Sequence, residues 1–237
     1  MKVITCLFLL GISASSFAQH DKKEEFKKFL PFITRSLGGS FQQFNGLNGR
    51  VASLPQLKQL KDYTATIGLG FYKERNQFIS QAGLTLGSSM SGHRDEMSST
   101  IRYIALNADL GYDLVKNERI TFYPFAGLGA QKYQAIFYRD NSGVDFDDVL
   151  LSPVTQSSIS PVKVKNGFLV YRLGLGFSIK SPKYPASIGV QAGYTGSFKK
   201  HAWKSNEDQA LNNAPEDRIS QFYISLVLTS KPWMMMR

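Results

Sequence analysis

From Ile101 to Tyr133 the chain alternates between two kinds of side chain. Ile104, Leu106, Ala108, Leu110, Tyr112 and Leu114 are apolar, whereas Asn107, Asp109, Gly111 and Asp113 between them are small or polar. A period of two marks a strand whose two faces meet different surroundings. The short charged segment from Val115 to Arg119 separates this run from a second one, Ile120 to Tyr133, so the pair predicts a hairpin.

The same pattern recurs along the chain. Tyr63, Ala65, Ile67, Leu69 and Phe71 alternate with Thr64, Thr66, Gly68 and Gly70. Further runs cover Gln77 to Ser88, Phe168 to Ile179, Ser187 to Phe198 and Arg218 to Leu228, with a weaker one from about Phe32 to Asn45. Eight strands of about ten residues match the ~9–11 that a tilted membrane strand needs. The connectors alternate long and short, as they do where a barrel has long loops on one side of a membrane and tight turns on the other. The expectation is an all-β fold: an eight-stranded antiparallel up-and-down transmembrane β-barrel over residues 32–230.

The composition of the less apolar face decides between environments. It is mostly Gly, Ser, Thr, Gln and Asn, whereas a face washed by water would carry more Lys, Glu and Arg. Small uncharged groups suit the crowded lumen of a narrow barrel. On the apolar face, Tyr63, Phe71, Phe78, Tyr112, Phe122, Tyr171 and Phe198 fall near strand ends, where interfacial girdles belong. A secreted lipocalin-like ligand-binding barrel is the soluble alternative.

The start of the chain reads as a secretory signal peptide over residues 1–18. Lys2 is the basic region, Val3 to Ile12 the apolar one, and Ser16 and Ala18 are the small residues before the cut. A polar leader, 19–31, precedes the barrel and a short tail, 231–237, follows it. Cys6 is the single cysteine and leaves with the signal, so no disulfide is expected in the exported chain. The net charge of +10 becomes +9 without Lys2. Its basic residues are scattered, which together with export excludes nucleic acid as a partner.

The glycine-punctuated strands Phe125-Ala126-Gly127-Leu128-Gly129 and Leu173-Gly174-Leu175-Gly176-Phe177, the closing run Phe222 to Leu228, and Ser16-Phe17-Ala18-Gln19 at the cleavage site resemble the small outer-membrane β-barrel proteins of Gram-negative bacteria. The resemblance covers residues 32–230. It implies location in the cell outer membrane, contact with outer-membrane lipid and lipopolysaccharide, and dependence on the barrel-assembly machinery. It specifies architecture, not activity, and names no partner for the extracellular loops.

Six residues form the candidate lumenal polar network: Gln81, Asn107, Asp109, Asp113, Arg172 and Gln191. Asp109 and Arg172 lie near the middle of strands that run in the same direction, and an unpaired charge inside a barrel is costly, so the two are expected to pair across the lumen. Such a network plugs the barrel; a small gated pore is the alternative. Ser91, His93 and Asp95 lie close in sequence, but no nucleophile elbow or zinc-protease motif accompanies them. The chain therefore reads as non-enzymatic, with an outer-membrane lipid-modifying enzyme as the alternative. The acidic run Asp145 to Asp148 lacks the spacing of a Ca²⁺ loop, and no metal or cofactor is expected. Trp203 in the last loop offers one aromatic contact for a partner. The expected role is structural, adhesive or envelope interaction, carried by the extracellular loops.

Overall fold

The computed structural model describes residues 31–93 and 97–231. The signal peptide, all of the leader except Pro31, and residues 232–237 of the tail lie outside the described residues.

Eight strands build the barrel: β1 Phe32–Gln42, β2 Tyr63–Arg75, β3 Phe78–Ser91, β4 Ser98–Tyr112, β5 Ile120–Tyr138, β6 Val162–Lys180, β7 Ala186–Ser197 and β8 Ser220–Ser230. Each pairs antiparallel with its neighbours in sequence, and β8 closes on β1 from Ile33↔Ser230 to Gln42↔Gln221. This is the expected up-and-down topology. The β2–β3 turn is tight: Asn76 and Gln77 both have positive φ (50° and 69°) between the paired residues Arg75 and Phe78, as two-residue hairpin turns demand. Gln77 thus belongs to the turn rather than to the third strand.

β5 and β6 are longer than their alternation suggests. Their pairing continues from Tyr133↔Asn166 to Phe137↔Val162. In this extension Ala135, Ile136 and Phe137 are all buried, so both faces of the strand meet protein and the period of two disappears. Beyond it the connection forms two short helices, α2 (Phe146–Leu151) and α3 (Pro153–Ile159), capped by the side chains of Asp145 and Ser152. The first long loop, expected to hold at most one helical turn, contains the eight-residue helix α1, Asn45–Ala52. The last loop adds three two-residue strands, at His201–Ala202, Lys204–Ser205 and Glu216–Asp217.

The outward side chains are large, apolar and exposed. Leu110 has 71% of its surface exposed and Leu128 61%, and they stand among many similar neighbours. An apolar surface this continuous has no place in water, and hydrocarbon is the solvent that suits it.

The interior holds two apolar layers. Ile79, Tyr123 and Phe125 pack with Tyr72 and Tyr223 toward the short-turn end. Tyr103, Tyr133, Phe168, Val170 and Trp203 fill the loop end, where Leu47 and Val51 of α1 close the mouth. Glycine makes room for these rings. Tyr123 registers with Gly176 and Tyr103 with Gly87, and a Cβ on either glycine would collide with the facing ring.

Overfilling that lower layer has a predicted cost. Gly176→Val displaces the Tyr123 ring and destabilises the barrel by about 1–3 kcal/mol. Gly143→Ala, where nothing lies within 4 Å of the new Cβ, leaves stability unchanged. Urea titrations read by heat-modifiable gel migration compare the two.

Candidate functional site in the barrel interior

Arg172 projects from β6 into the lumen, and the pair it forms with Asp109 runs along the wall over Gly127, with which both register, rather than across the barrel. Arg172 donates to Asp109 Oδ2 on β4 at 2.5 Å and to the Tyr223 hydroxyl on β8 at 2.8 Å. Both charged side chains are largely buried, at 12% and 6% exposure. The guanidinium also stands 4.9 Å from the Tyr223 ring centroid and 5.9 Å from that of Phe125. A planar, always-charged fork with aromatic faces beside it is the cation best suited to so dry a site.

A second crossbar lies beside the first. Gln191 on β7 donates to Gln81 Oε1 on β3 at 2.9 Å and to the Tyr123 hydroxyl at 2.8 Å, and Gln81 donates to the same hydroxyl at 2.8 Å. A third closes the short-turn end, where Lys180 Nζ meets the Glu74 carboxylate at 2.9 Å and the Tyr72 hydroxyl donates to it at 3.1 Å. Toward the loop end, Tyr133 donates to Gln131, which in turn donates to Gln221.

Of the six residues singled out in the sequence, the structure therefore bonds four into crossbars: Asp109 with Arg172, and Gln81 with Gln191. Asn107 lines the same lumen without joining them. Its Oδ1, Asp109 Oδ1 and Gln221 Nε2 are three of the five buried side-chain atoms that have no hydrogen-bond partner among the described residues. All three residues border a cavity of about 90 Å³, a space that admits water of the kind such atoms require.

Asp113 departs from the expectation. It is buried, but its Oδ1 accepts from the backbone N–H groups of Val115 and Phe122 at 3.2 and 3.1 Å. Its carboxylate shapes the β4–β5 turn because it lies below the lumenal crossbars, within reach of unpaired turn amides.

The loop end has its own anchor, which no sequence pattern marked. Asp217 accepts from Gly46 N–H at 2.8 Å, Leu47 N–H at 3.0 Å and the Trp203 indole at 2.7 Å. It thus supplies the N-terminus of α1 with an anion and ties that helix to the last loop. Trp203 is 1% exposed and packs edge-on against Phe44; it is a stopper and offers no surface to a partner. His93 is exposed, Ser91 is buried, and Asp95 lies outside the described residues. Asp145 of the acidic run caps α2 by accepting from Asp147 N–H.

An apolar belt outside and interlocked polar groups inside are what a membrane-spanning barrel requires. This is a β-barrel of the outer-membrane type. No family model matches its sequence, and no curated protein is significantly similar to it. Some solved structures align with most of the chain at low identity. Ail, the attachment invasion locus protein of Yersinia pestis, is 15% identical with a TM-score of 0.46 over 84% of this barrel's chain and 95% of its own. Neisserial surface protein A is 9% identical with a TM-score of 0.48, covering 85% and 97%. A major outer membrane protein of Thermus thermophilus is 8% identical with a TM-score of 0.48, covering 84% and 98%. Likeness at this level carries no argument about fold or activity, and the barrel rests on its own strand pairing.

Two experiments probe these contacts. Asp109→Ala strands the Arg172 charge and is expected to cost about 3–5 kcal/mol, whereas Asp109→Leu with Arg172→Met costs much less, because an apolar pair leaves no buried charge behind. Equilibrium unfolding of Asp109→Leu, Arg172→Met and their double variant forms the cycle, with Asp109→Ala measured beside it. Asp217→Ala frees α1 and Trp203 together. In a Trp233→Phe background, the emission of Trp203 is expected to shift to the red while the barrel stays folded.

Proposed function

We propose that the chain is a non-conducting, non-enzymatic outer-membrane barrel that holds a set of extracellular loops in place for structural, adhesive or other envelope interactions. The single observation that supports this reading is the filled lumen. The Gln191–Gln81 and Lys180–Glu74 contacts bridge opposite walls, the Arg172–Asp109 pair spans Gly127 beside the first of them, aromatic layers pack with them, and α1 occupies the mouth. A lumen so occupied offers neither an ion path nor a substrate pocket with converging catalytic groups. Lipid and lipopolysaccharide surround the belt on this reading, and the barrel-assembly machinery inserts it.

Function then falls to what the loops present. The β5–β6 arm is the most exposed part: Phe146, Leu150, Leu151 and Val154 stand in solvent, and neither α2 nor α3 buries a residue. Exposed apolar groups on a projecting arm suit contact with another macromolecule.

Planar-bilayer recording tests the reading. The intact barrel is expected to show no steady conductance. Arg172→Ala combined with Gln191→Ala, which removes two crossbars, is expected to produce small flickering openings. Large steady channels from the unmodified barrel overturn the proposal in favour of a pore.

A further inference from the structure

One outward position of the belt breaks its rule. On β1 the side chains of Ile33, Leu37 and Phe41 face outward, and Arg35 stands exposed among them. Its register partners are Leu69 on β2 and Leu228 on β8, both exposed on the same surface. Ile33 and Leu37 precede and follow it on that face. An apolar side chain therefore flanks the arginine on all four sides.

A cation in hydrocarbon is costly unless an anion meets it, and the protein supplies none. Among the described residues Arg35 makes no hydrogen bond, ion pair or ring contact. The eight strands contain two carboxylates, Glu74 and Asp109, and both are engaged inside the barrel, by Lys180 and Arg172. The wall of a second copy would bring no carboxylate to Arg35 either. The counter-ion has to come from the membrane.

The surface beside Arg35 suits the rest of such a ligand. Its outward neighbour Ile33 and its register partner Leu69 both border an apolar depression of about 530 Å³. Ala82 is the small side chain that leaves this space open, and Phe71, Leu84 and Leu106 stand around it. β1 begins at Phe32 and runs on to Gln42, so Arg35 lies nearer the short-turn end of the barrel. A long cationic side chain leads its charge toward the closer headgroups while its stem stays among apolar groups.

We propose that this stretch of wall binds an anionic phospholipid from the leaflet on the short-turn side, its phosphate on the Arg35 guanidinium and an acyl chain in the depression over Ala82. The inference rests on the membrane reading given above and adds to it a site and a ligand class. The planar guanidinium donates to two phosphate oxygens at once. A zwitterionic headgroup carries its own ammonium beside the phosphate and balances the arginine less well. A water-soluble anion does not reach a cation enclosed by Ile33, Leu37, Leu69 and Leu228.

The test uses the full chain in neutral detergent, with lipid retention read by native mass spectrometry. The probes are phosphatidylglycerol and phosphatidylethanolamine with the same acyl chains. Heat-modifiable migration of each preparation reports the barrel itself, so failure of the membrane reading is seen separately from failure to bind. At the strength of one cation on an anionic lipid surface, Arg35→Gln is expected to retain phosphatidylglycerol about fivefold less well than the parent, with phosphatidylethanolamine unaffected. Ala82→Leu, which fills the depression, is expected to lower phosphatidylglycerol retention as well. Lys58→Gln, in the first long loop, leaves it unchanged. Equal phosphatidylglycerol retention by the folded Arg35→Gln variant, or equal retention of the two lipids by the parent, overturns the proposal. So does a dimer of the parent that Arg35→Gln dissociates with lipid retention unchanged, which gives the arginine to a protein interface. Full retention by folded Ala82→Leu overturns the placement of the acyl chain.

Discussion

A lumen enclosed by eight strands is only as wide as the side chains that fill it, and every inward residue of this barrel answers to that limit. A ring can enter only where the neighbouring wall gives way. Tyr123 registers with Gly176, Phe125 with Gly174, Tyr103 with Gly87 and Tyr223 with Gly193. In each case a side chain on the glycine would occupy the place of the ring or its hydroxyl. The glycines that look like weak points in the strands are the sites where the core is packed.

The same shortage of room governs the polar groups. Water cannot solvate a charge freely at that depth, so each must find its partner on another wall. Arg172 ties β6 to β4 and β8, Lys180 ties β6 to β2, and Gln191 and Gln81 tie β7 to β3 through a tyrosine of β5. Apolar residues of similar volume would stabilise the interior about as well. What the polar bars add is directional pairing: each is satisfied only when particular strands face each other at a particular height. A slip of one residue would turn Arg172 or Asp109 toward lipid, so the crossbars and the belt specify the same register.

These two constraints explain what the sequence discloses. The belt is legible because lipid asks the same of every outward residue, and alternation therefore persists from Ile104 to Leu114. The Asp109–Arg172 pair is legible because charge is conspicuous on a face of small neutral groups. The rings are harder to read. A narrow lumen accepts glycine or tyrosine at a position provided the sum fits, so Tyr123, Phe125 and Tyr133 make β5 look apolar on both faces. Asp113 shares a face with Asp109 but lies where turn amides reach it first. At the mouth no period survives: α1, Trp203 and Asp217 come from segments far apart in the chain, and their meeting depends on tertiary contacts alone. Lys180 and Glu74 do not stand out in the sequence because each sits at a strand end, where a charge is ordinarily solvated.

The loop end obeys a different rule from the lumen. There β5 and β6 continue their pairing from Tyr133↔Asn166 to Phe137↔Val162 and lead into α2 and α3. The ladder satisfies the backbone of this arm from within, so its side chains are free of the demand that governs the barrel wall, where lipid or lumen dictates each residue. Phe146, Leu150, Leu151 and Val154 are consequently exposed with no packing to explain them, and exposed apolar groups that no internal constraint requires are the ones a contact outside the chain accounts for.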